Sequence, residues 1–206
     1  MLTDTVHADG RRARGDRTRQ AVLAQAVRIA GCEGLEALSF GRVALAAGAP
    51  KSTLQTLFKD REALQLQVLD AGAAAFAEGL RARLPAGGEP LERLNALCGA
   101  WFDLIGACET PGGCLVTAAA GEFRCREGAL ADHAAAHQAR WRQAVTDAVG
   151  AAQAAGQIRA DVDVDQLVFE VLAFQGAANL TAGRPDAPEL RHARRAVEAL
   201  LARAAA

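Results

Sequence analysis

The chain has 206 residues, of which 51% are hydrophobic, 23% charged and 4% aromatic, and its formal net charge is −1. About a quarter of the residues are Ala, whereas Ile occurs only at Ile29, Ile105 and Ile158. Because Ala is the strongest helix former and sheets favour β-branched and aromatic residues, this composition disfavours a mainly β protein and predicts an all-α fold. No stretch approaches the roughly 18 apolar residues that span a bilayer, and no secretory signal is recognisable, so we expect a cytoplasmic protein.

Charge is distributed unevenly along the chain. Residues 1–60 carry a net charge of +3 and residues 61–206 a net charge of −4. Five arginines crowd the first part: Arg11, Arg12, Arg14, Arg17 and Arg19. We expect a flexible Arg-rich arm over residues 1–16 that lies against phosphates, although a solvated tail explains the same charges.

Three helices are predicted at the start of the chain. Ser39 suits an N-cap, and Ala47-Gly48-Ala49-Pro50 suits a tight turn, since Gly can end a helix and Pro can begin the next. The expected helices cover about Thr18–Ala30, Phe40–Ala46 and Lys51–Phe58. A longer helix followed by two short ones across such a turn indicates a helix-turn-helix head over residues 17–60.

Longer helices are predicted over residues 61–206, bringing the total to about nine. Apolar residues there recur at helical spacing, and Pro- and Gly-rich segments separate the helices. The expected segments are about Arg61–Leu84, Leu91–Ile105, Cys114–Phe123, Ala129–Ala155, Val164–Ala182 and Pro188–Ala204.

The second short helix of a helix-turn-helix inserts its N-terminal part into the major groove, where polar side chains read base edges and basic ones contact phosphates. Ordinary solvent exposure explains the same polar side chains. The predicted DNA-binding residues are Ser39, Arg42, Lys51, Ser52, Thr53, Gln55, Thr56 and Lys59.

The head resembles the N-terminal domain of the tetracycline-repressor (TetR) family of transcriptional regulators. The similarity is carried by Ala30-Gly31-x-x-Gly34, Ser39-Phe40-x-Arg42-Val43-Ala44, Ala47-Gly48-Ala49-Pro50-Lys51-Ser52-Thr53-Leu54 and Phe58-Lys59-Asp60-Arg61-Glu62-Ala63-Leu64. It implies a homodimeric repressor that binds an operator through the head and is released by a small-molecule effector of unknown identity. The family places aromatic residues and a His where this chain has Gln55, Thr56 and Leu57, which leaves its phosphate contacts to other residues.

The resemblance implies an effector cavity in the body. Large inward residues and a few polar anchors are the candidates for its lining, and a plain packed core is the alternative. The predicted ligand-binding residues are Trp101, Phe102, Phe123, His137, Trp141, Phe174 and Gln175, with Asn179 as a further polar anchor.

Dimerisation is expected through the last two helices. One stripe contains Leu167, Val171, Gln175 and Ala178, and the other contains Leu190, Ala193, Val197 and Leu200. Pairing these stripes across a two-fold axis gives a four-helix interface and predicts a pseudo-palindromic operator with half-sites about one helical turn or somewhat more apart.

The sequence predicts neither a metal site, nor a cofactor, nor an enzyme. His133 and His137 share a helical face, but no third ligand lies at a telling spacing beside them. Ser39 and Ser52 are the only serines, which excludes a serine hydrolase centred in the body.

Cysteine usage leaves one alternative function open. The five cysteines form no CxxC pair, which suits buried thiols in a reducing compartment. They are Cys32, Cys98, Cys108, Cys114 and Cys125. A thiol-based redox-sensing regulator on the same fold is thus an alternative, as is a helical interaction protein that no longer binds DNA.

Overall fold

A computed structural model describes the backbone of residues 3–107, 112–184 and 188–206, with side chains from residue 15 onward. The described ranges contain nine α-helices and a 3₁₀ turn at Leu35–Ala37, and the all-α prediction is confirmed. The helices are α1 Thr3–Glu33, α2 Phe40–Ala46, α3 Lys51–Leu57, α4 Arg61–Arg83, α5 Pro90–Gly106, α6 Leu115–Glu122, α7 Ala129–Ala154, α8 Val164–Asn179 and α9 Pro188–Ala204. Within these ranges, no helix combines the length and apolar character needed to cross a bilayer.

The start of α1 differs from the sequence prediction. The helix begins at Thr3 instead of Thr18, so residues 3–16 continue it where a flexible arm was expected. Gly10 and Gly15 lie inside the helix at a cost of about 1 kcal/mol each relative to Ala. The Arg and Ala residues around them favour the helix, which explains why it does not end there. The side chains of Arg11, Arg12 and Arg14 lie outside the described residues.

The head is held together by a small apolar core. Ser39 caps α2 as predicted, since its side chain accepts a hydrogen bond from the amide of Arg42 at 3.3 Å. Side chains from α1, the 3₁₀ turn, α2 and α3 are fully or almost fully buried together: Val22, Ala26, Leu35, Leu38, Val43, Leu54 and Phe58. The two short helices therefore gain their stability from packing against α1.

Arg19 joins α1 to the end of the head. Its guanidinium donates a hydrogen bond to the carbonyl of Leu57 at 2.9 Å and another to the side chain of Gln67. The guanidinium carbon also lies 5.4 Å from the centre of the Phe58 ring. Arg19 follows the predicted Arg-rich arm in the sequence, and these contacts make it a link between α1, α3 and α4.

The body is built around α4 and α7. Both helices pack on α6, and α7 also packs on α5 and α8. Trp101 is fully buried and contacts the Phe76 and Phe102 rings edge to face, with ring centres 6.3 and 5.2 Å away. Helix α4 also packs against α1, so a single helix belongs to the cores of the head and the body.

The stripes expected to form a dimer interface face the chain's own core. The residues Leu167, Val171, Gln175 and Ala178 of α8 are buried, as are Ala193, Val197 and Leu200 of α9, because α8 and α9 pack on each other and on the rest of the body. A different face of α8, which carries Phe169 and Phe174, is exposed and apolar.

Gly113 sits at a close approach between the start of α6 and the end of α8. Asn179 donates to the carbonyl of Cys114 at 3.2 Å and accepts from its amide at 2.7 Å. The side chain that was predicted to anchor a ligand therefore already has backbone hydrogen-bond partners. Gly113 has a φ of +84°, and a Cβ there would lie 2.4 Å from Oδ1 of Asn179. This junction therefore requires a residue without a side chain.

Two glycines should respond in opposite ways to replacement by Ala. Gly150 lies within α7, and a Cβ added there would meet nothing within 4 Å, so Gly150→Ala should stabilise the protein by about 0.5–1 kcal/mol. Gly113→Ala should destabilise it by roughly 1–2 kcal/mol or more, because of its φ and the clash with Asn179. Urea unfolding of both variants measures the two effects, and a shift of the same sign in both would contradict this account.

Candidate nucleic-acid interface and effector cavity

Helix α3 presents a polar outer face. Leu54 and Phe58 anchor it in the core, which turns the neighbouring polar side chains outward. Thr53 is half-buried, and Thr56 donates a hydrogen bond to the carbonyl of Ser52 at 3.0 Å. The exposed residues are Lys51, Ser52, Gln55, Thr56 and Lys59. A short helix anchored in this way can enter a groove with its polar face first.

Ser39 and Arg42, both predicted to contact DNA, also make contacts that hold α2 in place. Ser39 caps α2, and the Arg42 guanidinium forms an ion pair with Glu33 at 2.6 Å and donates to the carbonyl of Ala37 at 3.1 Å. Arg42 therefore ties α2 to the end of α1. Both residues remain exposed at the surface of the head.

A cavity of about 550 Å³ opens between helices α4 to α8. Its walls are mainly apolar, and its polar groups come from α4, α6, α7 and α8. Of the predicted ligand-binding residues, Trp101, His137, Trp141 and Gln175 line this cavity. The volume and mixed lining suit a small organic molecule.

Three predicted lining residues lie elsewhere. Phe102 is buried against the ring of Trp101, and Phe123 is buried with the Arg126 guanidinium 5.2 Å from its ring centre. Phe174 is 36% exposed on the outer face of α8. Helical spacing identifies apolar positions but does not say which neighbour each one meets, and this explains the three errors.

Gln175 has one polar atom that the protein does not use. The residue is 2% exposed, and its side-chain oxygen accepts a hydrogen bond from the indole nitrogen of Trp141 at 2.9 Å. Its amide nitrogen is buried and has no hydrogen-bond partner among the described residues. A buried donor without a partner costs about 1–3 kcal/mol, so an acceptor on a bound molecule would stabilise this position.

Asp70 of α4 meets two histidines of α7 at the edge of the cavity. Its Oδ1 lies 2.7 Å from Nε2 of His133 and 2.8 Å from Nε2 of His137. Partial burial raises the pKa of the Asp70 carboxyl, but hydrogen bonds from the two histidines outweigh this and leave the pKa below its usual value. Asp70 and His137 line the cavity, and Arg140 does so beside them.

The cysteines divide into two kinds. Burial raises the pKa of the Cys98 thiol to about 12 and also raises the pKa of Cys114, so both thiols stay protonated at neutral pH and are poor nucleophiles. Cys32 and Cys125 are exposed, unlike the buried thiols that we expected, because one lies on the solvent side of α1 and the other follows α6. Cys108 lies outside the described residues.

Helix α6 connects the cavity to the head. Thr117 in its first turn lines the cavity. At its other end the Glu122 carboxylate accepts hydrogen bonds from the amides of Leu35 and Glu36, each at 2.9 Å. These two amides begin the 3₁₀ turn that leads into α2, so a single short helix contacts both the cavity and the head.

Sequence reasoning did not find Asp70, Thr117, Glu122 or Arg140. Asp70 and Glu122 act on residues 63 to 87 positions away. The spacing of residues along one helix does not indicate which residues of another helix they contact. Arg140, three residues after His137, shares its helical face and was the one residue that spacing could have indicated.

A helix-turn-helix head joined to a hollow helical body is the architecture of a class of transcriptional regulators. The family model "Tetracyclin repressor-like, C-terminal domain" matches residues 90–197, more than half of the chain. The chain belongs to the TetR family of transcriptional regulators, as the resemblance of its head predicted. A comparison with curated protein sequences finds no match.

Solved structures share the fold. A TetR transcriptional regulator from Chloroflexus aurantiacus superposes with a TM-score of 0.84 at 23% identity, covering 94% of this chain and 98% of that one. A TetR-family regulator from Cytophaga hutchinsonii gives 0.81 at 21% identity, with 93% and 96% covered. AibR, solved with isovaleryl coenzyme A and operator DNA, gives 0.70 at 23% identity, with 90% and 98% covered.

Replacing Glu122 should loosen the joint between body and head. Glu122→Ala removes the acceptor for the amides of Leu35 and Glu36, which should lower the free energy of unfolding by roughly 1–3 kcal/mol. Urea unfolding measures this loss. The exposed Glu127 serves as the control, since Glu127→Ala should change little. Equal stability of the two variants would show that the Glu122 contacts contribute nothing.

Proposed function

We propose that the protein is a cytoplasmic, homodimeric one-component repressor that binds a pseudo-palindromic operator through α3 and is released by a small-molecule effector. The observation that carries the proposal is the path of α6, which extends from Thr117 at the cavity to the Glu122 carboxylate on the head. Regulators of this family are generally non-enzymatic transcription factors, and we assign this chain no catalytic role.

The head supplies the DNA-binding surface. We assign Gln55 and Thr53 to base edges or the backbone, and Lys51 and Lys59 to phosphates, because they lie on or beside the outer face of α3. Ser39 and Arg42 act near the start of α2, with Arg42 also holding α2 to Glu33. Two heads related by a two-fold axis would read two half-sites.

The effector acts through α6. A molecule in the cavity contacts Thr117 and Val116 in the first turn of α6. Displacement of α6 moves the Glu122 carboxylate and the 3₁₀ turn attached to it, which changes the orientation of α2 and α3. An effector that binds the displaced arrangement more tightly shifts the population away from the DNA-binding state.

The cavity indicates the kind of effector. Its walls are mainly apolar, and the Gln175 amide is a buried donor without an acceptor among the described residues. The Arg140 guanidinium also lines the cavity without a carboxylate partner in the described part of the chain. We infer a small, largely apolar molecule carrying a carbonyl or carboxylate group. AibR, a distant structural relative, was solved with isovaleryl coenzyme A, an acyl thioester.

The dimer interface is assigned to the exposed face of α8. Phe169 is 56% exposed, Phe174 36% and Leu180 85%, and the exposed Ala173 and Ala177 lie between them. Clustered large apolar side chains on one helix face are typical of a protein–protein interface, and small residues between them allow close helix approach. The proposed interface thus lies on α8, one of the two helices expected to form it, but on a face that differs from the predicted stripe.

DNA binding depends on α3 under this proposal. Lys51→Ala combined with Gln55→Ala should weaken binding to the operator by at least about tenfold, because a base contact and a phosphate contact are lost. Fluorescence anisotropy with DNA flanking the protein's own gene measures the affinity, and a selection from random DNA supplies an operator if that DNA does not bind.

The control for this variant is Gln143→Ala combined with Arg191→Ala, two exposed positions in the body. Affinity should remain unchanged there, and circular dichroism should show equal helicity in both double variants. Unchanged affinity in the α3 variant would overturn the site assignment. If neither DNA source yields specific binding, the interaction-protein alternative replaces the repressor.

Charge placed on the exposed face of α8 should separate the dimer. Phe169→Glu combined with Phe174→Glu brings two carboxylates of each subunit into an apolar interface, and unpaired buried charges are strongly unfavourable. Sedimentation velocity should show dimers for the parent and monomers for the variant. Leu45→Glu, at an apolar residue of the head that is 86% exposed, is the control and should stay dimeric. A dimeric α8 variant would move the interface elsewhere.

A further inference from the structure

The sequence has two histidines one turn apart on α7, and the structure brings a carboxylate to them. Asp70 comes from α4, so three potential ligands from two helices converge on one point. We propose that Asp70, His133 and His137 bind a divalent transition-metal ion of the Zn²⁺ class, with an open coordination position facing the cavity.

The geometry suits a shared ion. The ligand atoms of the three residues lie within 4.8 Å of one another, and both imidazole Nε2 atoms approach the same Asp70 oxygen. The two rings are 4.9 Å apart and nearly perpendicular. In a tetrahedral zinc site with bonds of about 2.0–2.2 Å, ligand atoms are roughly 3.3–3.5 Å apart. The present spacings of 2.7 and 2.8 Å reach that range through a small shift of the half-exposed Asp70 side chain.

The donor set selects the class of metal. Imidazole nitrogen suits Zn²⁺, Ni²⁺, Cu²⁺ and Fe²⁺, whereas Mg²⁺ and Ca²⁺ prefer oxygen ligands alone. Three protein ligands leave a fourth tetrahedral position for water or a bound molecule. Asp70 and His137 both line the cavity, so this position lies on the cavity side. An effector carboxylate or carbonyl could coordinate the ion directly.

Arg140 provides a test that separates a metal site from a simple hydrogen-bond network. Its guanidinium donates to Nδ1 of His137 at 3.2 Å, which assigns the ring proton to Nε2. A metal on Nε2 requires that proton to move to Nδ1, where it faces the Arg140 donor. Arg140 must therefore turn away when the ion binds, and its positive charge also opposes the cation.

Other imidazole and thiol groups exposed among the described residues provide controls. His192 is an exposed imidazole on α9, and Cys32 and Cys125 are exposed thiols. None of the three belongs to the described cluster. Variants at these positions report binding by the exposed imidazole and thiols of the described residues away from Asp70.

The experiment measures Zn²⁺ binding to the full chain in the absence of DNA, so its result does not depend on the proposed function. Protein stripped with EDTA competes for Zn²⁺ with a chromophoric chelator. We expect one ion per chain in the parent. His133→Ala, His137→Ala and Asp70→Asn should each weaken binding by about tenfold or more, because each removes a direct ligand. Arg140→Ala should bind Zn²⁺ more tightly than the parent.

The controls and a second readout complete the test. His192→Ala and the pair Cys32→Ser with Cys125→Ser should bind as the parent does. Co²⁺ should give the visible bands of a nitrogen and oxygen site without thiolate charge transfer. Should an Ala variant lose helicity, His133→Gln and His137→Gln replace it. Absence of binding in the parent, binding that survives loss of both histidines, or loss in the Cys pair would overturn the proposal.

Discussion

The carboxylate of Glu122 joins α6, a helix that lines the cavity, to the 3₁₀ turn of the head. It accepts two backbone amides at the start of the 3₁₀ turn, a pair of charge-assisted bonds that fixes distance and orientation together. Gly34 leaves space for this approach, since a Cβ there would lie 2.9 Å from a Glu122 oxygen. Helix α4 holds the opposite side, where Gln65 donates to the carbonyl of Leu35 at 2.8 Å. Two body helices, α4 and α6, thus form hydrogen bonds with the same 3₁₀ turn of the head.

The helices were predictable because their signals are local. Ser39 caps α2, Pro50 precedes α3, and the apolar rhythm of residues 61–206 predicted ends within a few residues of those found. The start of α1 was missed because Gly10 and Gly15 are weak breakers inside a favourable helix. The cavity was harder to predict. Trp101, His137, Trp141 and Gln175 were identified from size and polarity, whereas Asp70 comes from a distant helix and has no signal near His133.

Because α4 and α6 each contact both the cavity and the head, the proposed function links effector binding and DNA binding through these two helices. Thermodynamic linkage makes this relation reciprocal. If an effector lowers the affinity for DNA by some factor, DNA lowers the affinity for that effector by the same factor. Operator-bound molecules are then less sensitive to the effector than free ones, and the response shifts with the ratio of operator to protein.

The unused amide of Gln175 bears on how the cavity selects among molecules of similar shape. A ligand that carries a hydrogen-bond acceptor removes the free-energy cost of the unpaired Gln175 donor. A hydrocarbon of the same shape leaves that cost in place and also displaces any water present. Apolar walls distinguish molecules by about 1–3 kcal/mol per methylene, and an acceptor that meets the Gln175 donor adds a comparable 1–3 kcal/mol. Under the proposed function, hydrogen bonding to Gln175 would therefore act beside fit in separating an effector from a molecule of the same shape that lacks one oxygen.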